Sequence, residues 1–329
     1  PVLQAALEGA TSLLLFPTKA LAHDQLRRLR AMAQVLGVEG VFPYDGDTPS
    51  ATRRQARERG LVLLSNPDML HYGLLPRHPD WAPFLARLRY VVLDELHAYR
   101  GVFGTHVALI LRRLLRLARH YGASPQVLAA SATIANAREH AEALTGLPFE
   151  ELKAQVARTE RELLVLLPKP LDRRGERRRS PLLEAAYLAR RLAEAGLKGL
   201  VFAGARKSAE LIARYAAHPL VRPYRAGYTA RERRRLEADL KEGRVRVLVS
   251  TSALELGVDI GELDAVVLVG YPGSTAAFWQ RAGRAGRGER RALLVYIPRE
   301  DPMDEYFLHR PALLLESPPE EAVADPQHP

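Results

Sequence analysis

Three arginines recur at intervals of three residues in the stretch WQRAGRAGRGERR, residues 279–291. Arg281, Arg284 and Arg287 share this stretch with glycines, and a glycine inside a helix costs about 1 kcal/mol relative to alanine. The pattern therefore predicts a backbone that another group approaches closely. Guanidinium groups stay charged and donate hydrogen bonds in a fixed fork, so we expect an anion, with a nucleoside triphosphate as the candidate. An RGG-like nucleic-acid tail is the alternative. It is disfavoured because the stretch lies between two apolar runs.

Two acids directly follow the apolar run YVVL, in the segment VVLDELHAYRG. Asp94, at the mouth of a buried strand, can hold Mg²⁺ through water, and Glu95 can accept a proton from an attacking water. Equally, both acids can cap the helix that follows, and the tetrapeptide alone leaves the two interpretations open. His97 is interpreted as a packing or hydrogen-bonding histidine, since no second cluster of ligands indicates a zinc site.

The segment SAT also follows an apolar run and supplies two hydroxyl groups, on Ser131 and Thr133. These hydroxyls are in a position to hydrogen-bond Asp94 or His97 across the sheet. The alternative is that Thr133 or Asn136 caps the next helix.

Elements that would position these residues are visible as short apolar runs, each followed by an amphipathic segment. Runs without polar alternation are typical of strands buried on both faces of a parallel sheet. The fold class is therefore predicted as α/β, with strands and helices alternating. Ligands of such sheets bind at the carboxyl ends of the strands. The runs are 12–16, 61–64, 90–93, 126–131, 163–167, 199–203, 245–250, 265–269 and 292–297.

A polar, basic segment bounded by prolines, LDRRGERRRSP at 171–181, divides the runs into two groups. We predict domain 1 over residues 1–155, a hinge and linker over 156–180, and domain 2 over 181–310. Residues 311–329 are expected to be an extended tail. Both ends of the sequence resemble cuts in a longer protein.

The chain has 48 Lys and Arg residues against 38 Asp and Glu, a formal net charge of +10, and no cysteine. A basic surface favours nucleic acid or an anionic membrane, although a thermophile-like composition, or that of a GC-rich genome in which arginine replaces lysine, gives the same balance. No apolar run approaches about 18 residues. We expect a soluble protein of the cytoplasm, associated with the nucleoid, and no membrane partner.

In their order, the motifs resemble those of superfamily 2 helicases of the DEAD/DEAH-like type. The matching segments are PTKAL (17–21), SNPDML (65–70), DELH (94–97), SAT (131–133), VFAGARKSAE (201–210), STSALELGVDIG (250–261) and QRAGRAGR (280–287). Finer similarity is to the YprA group of DNA helicases, which includes the mitomycin repair factor A proteins. It lies in YDGDTP (44–49), YRAGYTARERRR (224–235), the segment 251–274 and DPMDEYFLHRP (301–311).

This resemblance implies two tandem RecA-like parallel-sheet domains, and ATP-dependent 3′→5′ translocation on single-stranded DNA or DNA with a single-stranded tail, coupled to repair. Its cofactors would be ATP and Mg²⁺, with the metal on Asp94 and the attacking water on Glu95. Gln280, Arg284 and Arg287 would reach the γ-phosphate. Gly257 and Asp259 would belong to the nucleotide site, and His97, Ser131 and Thr133 would couple hydrolysis to movement. The DNA track would be lined by Pro17, Thr18, Lys19, Asn66, Pro67, Asp68, Arg225, Gly227 and Thr251.

Two departures from the family pattern are visible. The sequence contains no G-x-x-x-x-G-K-[ST] phosphate loop; Gly199 and Gly204 are spaced for one, but Ala205 and Arg206 precede Lys207. We expect the first domain to lack this portion, with the loop before Pro1, and the chain alone to hydrolyse ATP weakly or not at all. Proteins of this group carry a C-terminal zinc-binding cysteine cluster; this sequence has no cysteine, so that module either lies beyond residue 329 or is absent.

Three other functions stay open at this point. One is a non-catalytic nucleic-acid-binding fragment of a helicase, and one is an RNA helicase, because the core motifs do not separate RNA from DNA. A metal-dependent nuclease is disfavoured, because no further carboxylates cluster near Asp94 in the sequence.

Overall fold

The computed structural model describes residues 1–132, 134–153, 161–172, 177–225, 227–255, 260–286 and 291–327. The chain divides into two compact units. Unit 1 comprises Pro1–Lys153 together with Glu320–Pro329, and unit 2 comprises Ala154–Pro319. Each unit is built on one parallel sheet with helices packed against it. The predicted α/β class with two parallel-sheet domains is confirmed.

Unit 1 alternates strands and helices along the chain. Its strands are β1 (Thr11–Leu15), β2 (Val41–Tyr44), β3 (Val62–Ser65), β4 (Leu88–Leu93) and β5 (Gln126–Ala129). Its helices are α1 (Val2–Leu7), α2 (Lys19–Val35), α3 (Ser50–Arg59), α4 (Pro67–Met69), α5 (Ala82–Leu85), α6 (Gly101–His120) and α7 (Ala137–Thr145). A π-helical turn (Leu70–Leu74) and a 3-10 segment (Leu75–Trp81) join α4 to α5, and a 3-10 turn spans Leu96–Ala98. The strands lie in the order β2-β3-β1-β4-β5.

The central strand β1, of sequence TSLLL, is buried at all five positions, and its three leucines supply apolar side chains to both faces of the sheet. Successive side chains of a strand point to opposite faces. Leu13 and Leu15 accordingly join a core that includes Trp81 and residues of α6. Leu14 joins a separate core that includes Leu21 and other residues of α2. The sheet of unit 1 is therefore covered by helices on both sides.

Unit 2 repeats this plan. Its strands are β6 (Arg161–Val165), β7 (Gly199–Phe202), β8 (Val221–Tyr224), β9 (Val247–Ser250), β10 (Ala265–Val269) and β11 (Ala292–Ile297). Its helices are α8 (Pro181–Glu194), α9 (Arg206–Ala216), α10 (Ala230–Lys241), α11 (Thr275–Ala282), α12 (Pro302–His309) and α13 (Ala312–Glu316), with a 3-10 turn at Ser252–Leu254. The order is β6-β11-β10-β7-β9-β8. Apart from β6, this is the order of unit 1, with β8, β9, β7, β10 and β11 in the places of β2, β3, β1, β4 and β5.

Two strands do not appear among the predicted runs, and they occupy equivalent edges. β2 has the sequence VFPY and β8 has VRPY, and each pairs in parallel with one neighbour. Proline lacks the N–H needed for a second ladder and is confined to edge strands. These four-residue segments are not apolar runs, which is why the pattern missed them.

The predicted linker and tail differ from the structure. Residues 161–165, placed within the hinge, form β6, which pairs with β11 at the edge of the second sheet. The tail is not wholly extended, because Ala312–Glu316 form α13. Residues from Glu320 onward belong to unit 1, where Ala322 and Ala324 are buried. Small side chains let this segment pack closely without an apolar run that would mark it.

Candidate functional sites at the strand ends

The DELH segment forms a tight turn at the carboxyl end of β4. The Asp94 amide donates to the Leu15 carbonyl at 3.0 Å, which keeps the turn aligned with β1. One Asp94 carboxylate oxygen accepts from the Glu95 amide at 2.9 Å. Glu95 has φ 51° and ψ 49°, the left-handed region, where a non-glycine residue is strained by about 1–2 kcal/mol. Strain of this kind is concentrated at functional sites.

The alternative that these acids cap the next helix is not what the structure shows. α6 begins only at Gly101, and its N-cap position, Arg100, makes no side-chain cap bond. Glu95 precedes the 3-10 turn at Leu96–Ala98 without a side-chain cap bond either. The carboxylates of Asp94 and Glu95 therefore serve the turn at the end of β4 rather than a helix terminus.

Burial raises the pKa of the Asp94 carboxyl, and the hydrogen bond from the Glu95 amide opposes that rise. The donor set nevertheless suits Mg²⁺, which takes one or two carboxylates and completes its shell with water and phosphate oxygens. Only one Asp94 oxygen accepts the Glu95 amide, so the other is chemically suited to a metal-bound water. Among the described residues, no three His, Asp or Glu side chains are grouped to enclose a metal by themselves.

His97 connects the DELH turn to the SAT segment. Its Nδ1 accepts from the Ala132 amide at 3.2 Å, so its proton lies on Nε2, which faces a Glu95 carboxylate oxygen at 3.5 Å. Burial, together with Arg100 and His140, lowers the pKa of His97 to about 4. The imidazole is therefore neutral near pH 7. The predicted link uses a backbone amide, whereas the sequence suggested a hydroxyl; the Ser131 side chain is exposed.

The predicted track residues of unit 1 lie at two helix N-termini. Thr18 is the N-cap of α2 and accepts from the Leu21 amide, and Asn66 is the N-cap of α4 and accepts from the Met69 amide at 2.9 Å. Their side-chain oxygens are thus engaged in capping. Lys19 and Asp68 are exposed beside them, whereas Pro17 is half-buried and Pro67 is buried. Helix N-termini present free N–H groups and positive dipole ends, which suit phosphate oxygens.

A buried carboxylate in YDGDTP organises the loop next to Lys19. Asp45 is 1% exposed and forms an ion pair with His23 at 2.9 Å. Burial raises its pKa, but hydrogen bonds from His23, Thr48 and the Asp47 amide outweigh burial and lower the pKa to about 2. Asp47 then pairs with Lys19 at 3.1 Å. In the sequence, YDGDTP is one of the segments that resemble the YprA group, but the sequence indicates no role for it.

In unit 2, the predicted track residues follow β8 and β9. Arg225 is half-buried, pairs with Glu210 at 3.0 Å and lies 5.0 Å from the centre of the Tyr228 ring. Gly227 is exposed and Thr251 is half-buried. Each lies just after a strand of the second sheet, where ligands of parallel sheets bind.

The arginine-glycine stretch begins inside α11 and leaves it. The helix ends at Ala282 with Gly283 as the C-cap, and Gly286 has φ +69°. These two glycines therefore terminate the helix and turn the chain. The spacing of three between the arginines therefore follows a helical period only as far as Ala282.

Arg281 and Arg284 both hold Glu255. Arg281 Nη2 lies 2.7 Å from a Glu255 carboxylate oxygen, and both side chains are largely buried. Arg284 is 3% exposed and donates from Nε and Nη2 to the Glu255 carbonyl oxygen at 3.2 and 2.5 Å. Gln280 is half-buried on the same helix. Sequence reasoning missed Glu255, although an acid inside the segment STSALELGVDIG was a signal for a partner of these arginines.

A second network missed from the sequence supports the start of α11. Asp304 is fully buried and accepts from the Tyr271 amide at 2.6 Å, the Tyr296 hydroxyl and Arg299. Arg299 runs under Gly270, where an added Cβ would lie 2.0 Å from its Nε. The DPMDEYFLHRP segment therefore fixes the turn after β10. Four predicted site residues, Thr133, Gly257, Asp259 and Arg287, lie outside the described residues.

Comparison with known proteins identifies the class. Residues 1–163 match the DEAD/DEAH box helicase family, and residues 183–289 match the helicase conserved C-terminal domain. Together with the two parallel sheets and the DELH turn, these matches show that the chain belongs to the DEAD/DEAH box helicases, as the resemblance of its motifs implied.

Particular relatives narrow the similarity. The chain is 41% identical to the uncharacterized ATP-dependent helicase YprA of Bacillus subtilis, covering 100% of this chain and 45% of that protein. It is 35% identical to the ATP-dependent helicase hrq1 of Schizosaccharomyces pombe, covering 99% of this chain and 32% of that protein. The chain thus spans less than half the length of these relatives.

Among solved structures, the DUF1998 helicase MrfA bound to DNA is similar with a TM-score of 0.92 and 40% identity, over 99% of this chain and 45% of that one. MrfA bound to DNA and AMPPNP gives a TM-score of 0.91 and 41% identity, over 99% and 47%. The helices of the described residues include none with the length and apolar character needed to cross a bilayer.

Proposed function

We propose that this chain is the motor core of an ATP-dependent DNA helicase or translocase that moves 3′→5′ on single-stranded DNA and acts in repair. The observation that carries the proposal is the strained DELH turn, which sets Asp94 and Glu95 at a strand end and ties them to the SAT segment through His97. The similar structures of MrfA bound to DNA, and to DNA and AMPPNP, support the choice of ligands. Association with the nucleoid belongs to the same proposal.

In this proposal, Asp94 holds Mg²⁺ through water and Glu95 orients and deprotonates the attacking water. When bound, Mg²⁺ would supply positive charge that neutralises the phosphates. Neutral His97 links the DELH turn to Ala132, because its Nε2 faces the Glu95 carboxylate and its Nδ1 accepts from the Ala132 amide. A movement of Glu95 would therefore be transmitted to the SAT segment. Gln280, Arg284 and Arg287 contact the γ-phosphate, with Gly257 and Asp259 in the same nucleotide site. Arg284 must then exchange the Glu255 carbonyl for phosphate oxygens.

For DNA, the proposed contacts are to the backbone. Lys19, Arg225 and the helix N-termini at Thr18 and Asn66 suit phosphate groups, with Pro17, Pro67, Asp68, Gly227 and Thr251 lining the same track. Backbone contacts carry little sequence information and weaken steeply with salt. The preferred partner is therefore single-stranded DNA, or DNA with a single-stranded tail, of any sequence.

The test is ATP hydrolysis by the naturally produced polypeptide that contains this chain, with and without single-stranded DNA, using Glu95→Gln as the inactive control. We expect hydrolysis that DNA stimulates and that falls as salt rises. Absence of stimulation by DNA would contradict the proposal, and stimulation by RNA of the same sequence but not by DNA would assign an RNA helicase.

A second candidate is a nucleic-acid-binding module without hydrolysis. It is favoured by the sequence of this chain, which contains no G-x-x-x-x-G-K-[ST]. The same experiment separates the helicase from the binding module. A binding module binds DNA but does not hydrolyse ATP, so the wild-type polypeptide and the Glu95→Gln variant would give the same result.

A further inference from the structure

The segment that follows unit 2 packs into unit 1 as an extended strap, defined here as residues 320–325. Within it, burial alternates: Ala322 and Ala324 are 4% and 8% exposed, and their neighbours are exposed. Such alternation is the pattern of an extended chain with one buried face. Two prolines, Pro318 and Pro319, precede it and favour extended backbone.

One contact of the strap is a reciprocal pair with the side chain of Asn136. The Asn136 amide nitrogen donates to the Ala322 carbonyl at 2.9 Å, and the Ala322 amide donates to the Asn136 Oδ1 at 2.9 Å. Asn136 occupies the N-cap position of α7 but makes no capping bond with its side chain. The amide side chain is therefore committed to the strap, although the sequence suggested a helix cap.

The strap also binds the first turn of α6. The Gly101 amide donates to the Val323 carbonyl at 2.6 Å, and the Asp325 amide donates to the Thr105 hydroxyl at 3.2 Å. Packing is close at this point, because a Cβ added to Gly104 would lie 3.0 Å from the Ala324 Cβ. Only small side chains fit on both sides of this contact.

The two segments that the strap joins are those that follow the motifs of the proposed ATP site. α6 begins four residues after His97, and Asn136 lies three residues after the SAT segment. α7 also carries His140, which is 1% exposed and faces the carbonyls of Leu96 and Tyr99 beside the DELH turn. Neither His140 ring nitrogen completes a well-aligned hydrogen bond among the described residues. α7 therefore packs against the DELH turn through His140, and the strap bonds the residue at the N-cap position of the same helix.

We propose that residues 320–325 form a positioning strap that holds the starts of α6 and α7 in one arrangement, and that Asn136 is the positioning residue through which it acts on the DELH and SAT segments. This inference rests on the proposed function. Unit 2 ends at Pro319, and the strap is the next segment of the chain. The strap therefore connects the end of unit 2 to the helices that follow the hydrolysis motifs in unit 1. Its loss therefore affects the rate of hydrolysis more than the affinity for ATP.

The test uses two variants that loosen the strap in different ways. Asn136→Ala removes the reciprocal pair, and Ala324→Leu overfills the contact with Gly104 while leaving Asn136 intact. Glu139→Gln, an exposed position on the first turn of α7, is the matched control. Hydrogen–deuterium exchange of this chain, without ATP or DNA, reports whether the amides of Gly101 and residues 322–325 open faster.

ATP hydrolysis by the natural polypeptide then reports the functional role. We expect both strap variants to lower the DNA-stimulated kcat by about 3- to 10-fold, with KM for ATP changed less and the control unaffected. Asn136→Asp, which keeps the acceptor for the Ala322 amide, should lie between wild type and Asn136→Ala.

Two results would overturn the inference. One is unchanged exchange in both variants, and the other is faster exchange with wild-type kcat, since a segment with only a structural role gives that outcome. Failure of the proposed function is distinguishable, because the wild-type polypeptide would then lack DNA-stimulated hydrolysis.

Discussion

The two units share one scaffold but carry different side chains after equivalent strands. Edge strands of sequence V-x-P-Y occupy the same place in both, with Tyr44 opposite Ser65 and Tyr224 opposite Ser250. The positions after β4 are Asp94 and Glu95, whereas the positions after the equivalent β10 are Gly270 and Tyr271. The helix that follows β10 instead carries Gln280 and Arg281. The comparison teaches that fold and chemistry are separable here, since one strand order presents acids in one unit and arginines in the other.

The largest expected difference between the units is catalytic. Glu95→Gln should lower the DNA-stimulated kcat by about 10²–10⁴-fold, the range for loss of a general base. Tyr271→Phe, at the equivalent position of unit 2, should change kcat by less than about twofold, because it removes a neutral hydrogen bond to Thr275 and no charge. Steady-state hydrolysis of ATP by the natural polypeptide measures both, and a similar loss in the two variants would contradict the comparison.

The next largest effect concerns ion pairs. Arg281→Ala leaves the Glu255 carboxylate largely buried without its partner at 2.7 Å, and we expect about 2–4 kcal/mol less stability in unit 2. Arg138→Ala removes an exposed pair with Glu142 in unit 1 and should cost less than about 0.5 kcal/mol. Denaturant unfolding of this chain provides the measurement. Equal costs would show that burial does not separate the two pairs.

Lowering the pH should affect the stability of the two units in opposite directions. The His97 pKa is about 4 in the folded state and 6.5 in an unfolded chain, so folded unit 1 binds fewer protons between these values. The neutral His97 imidazole makes its full contribution to the free energy of unfolding above pH 6.5. This contribution falls as the pH drops toward 4, and the loss is about 2 kcal/mol at pH 5. Burial raises the Asp304 pKa, so that group favours folded unit 2 at low pH and loses this contribution as pH rises.

Hydrogen exchange of each unit between pH 7 and pH 5, with rates corrected for intrinsic exchange, reports the difference. We expect peptides around Leu96–Ala98 to open as the pH falls while those around Asp304 stay protected, and His97→Asn to flatten the response of unit 1. A parallel loss of protection in both units at pH 5 would argue against this assignment.

The smallest effect compares two non-glycine residues that have positive φ in the described part of the chain, Glu95 in unit 1 and Ala217 in unit 2. Glycine relieves left-handed strain of about 1–2 kcal/mol but costs entropy. Ala217→Gly should therefore stabilise the chain by about 0.5–1 kcal/mol without changing hydrolysis. Glu95→Gly should stabilise it similarly and abolish hydrolysis. A destabilised Ala217→Gly variant, measured by thermal unfolding, would show that no strain is stored there.

Sequence patterns predicted the elements whose signal is local. β10 and β11 coincide with the apolar runs 265–269 and 292–297, because buried parallel strands must be apolar on both faces. The apolar run 90–93 likewise places DELH at the end of a strand, which is where β4 ends in the structure. β2 and β8 were not predicted, because their short sequences contain a proline and show neither a continuous apolar run nor an apolar–polar alternation.

Features that depend on distant contacts could not be predicted. Asn136 reads as a helix cap, and its true partner, Ala322, lies 186 residues further along the chain. Arg284 is predicted as a phosphate ligand, and its hydrogen bond to the Glu255 carbonyl, 29 residues earlier in the chain, has no local signal. In both cases the side chain has more than one suitable partner, and the sequence alone does not show which distant partner the fold brings to it.

The central claim is that the acids of unit 1 and the arginines of unit 2 act on one phosphoryl transfer. A double-mutant cycle of Glu95→Gln and Arg284→Lys in the natural polypeptide, read as kcat with saturating ATP and single-stranded DNA, tests it most directly. Hydrogen exchange confirms that each variant keeps its fold. The account predicts a double variant about as slow as the slower single variant. Losses that multiply in full would mean that the two residues act independently, and would contradict it.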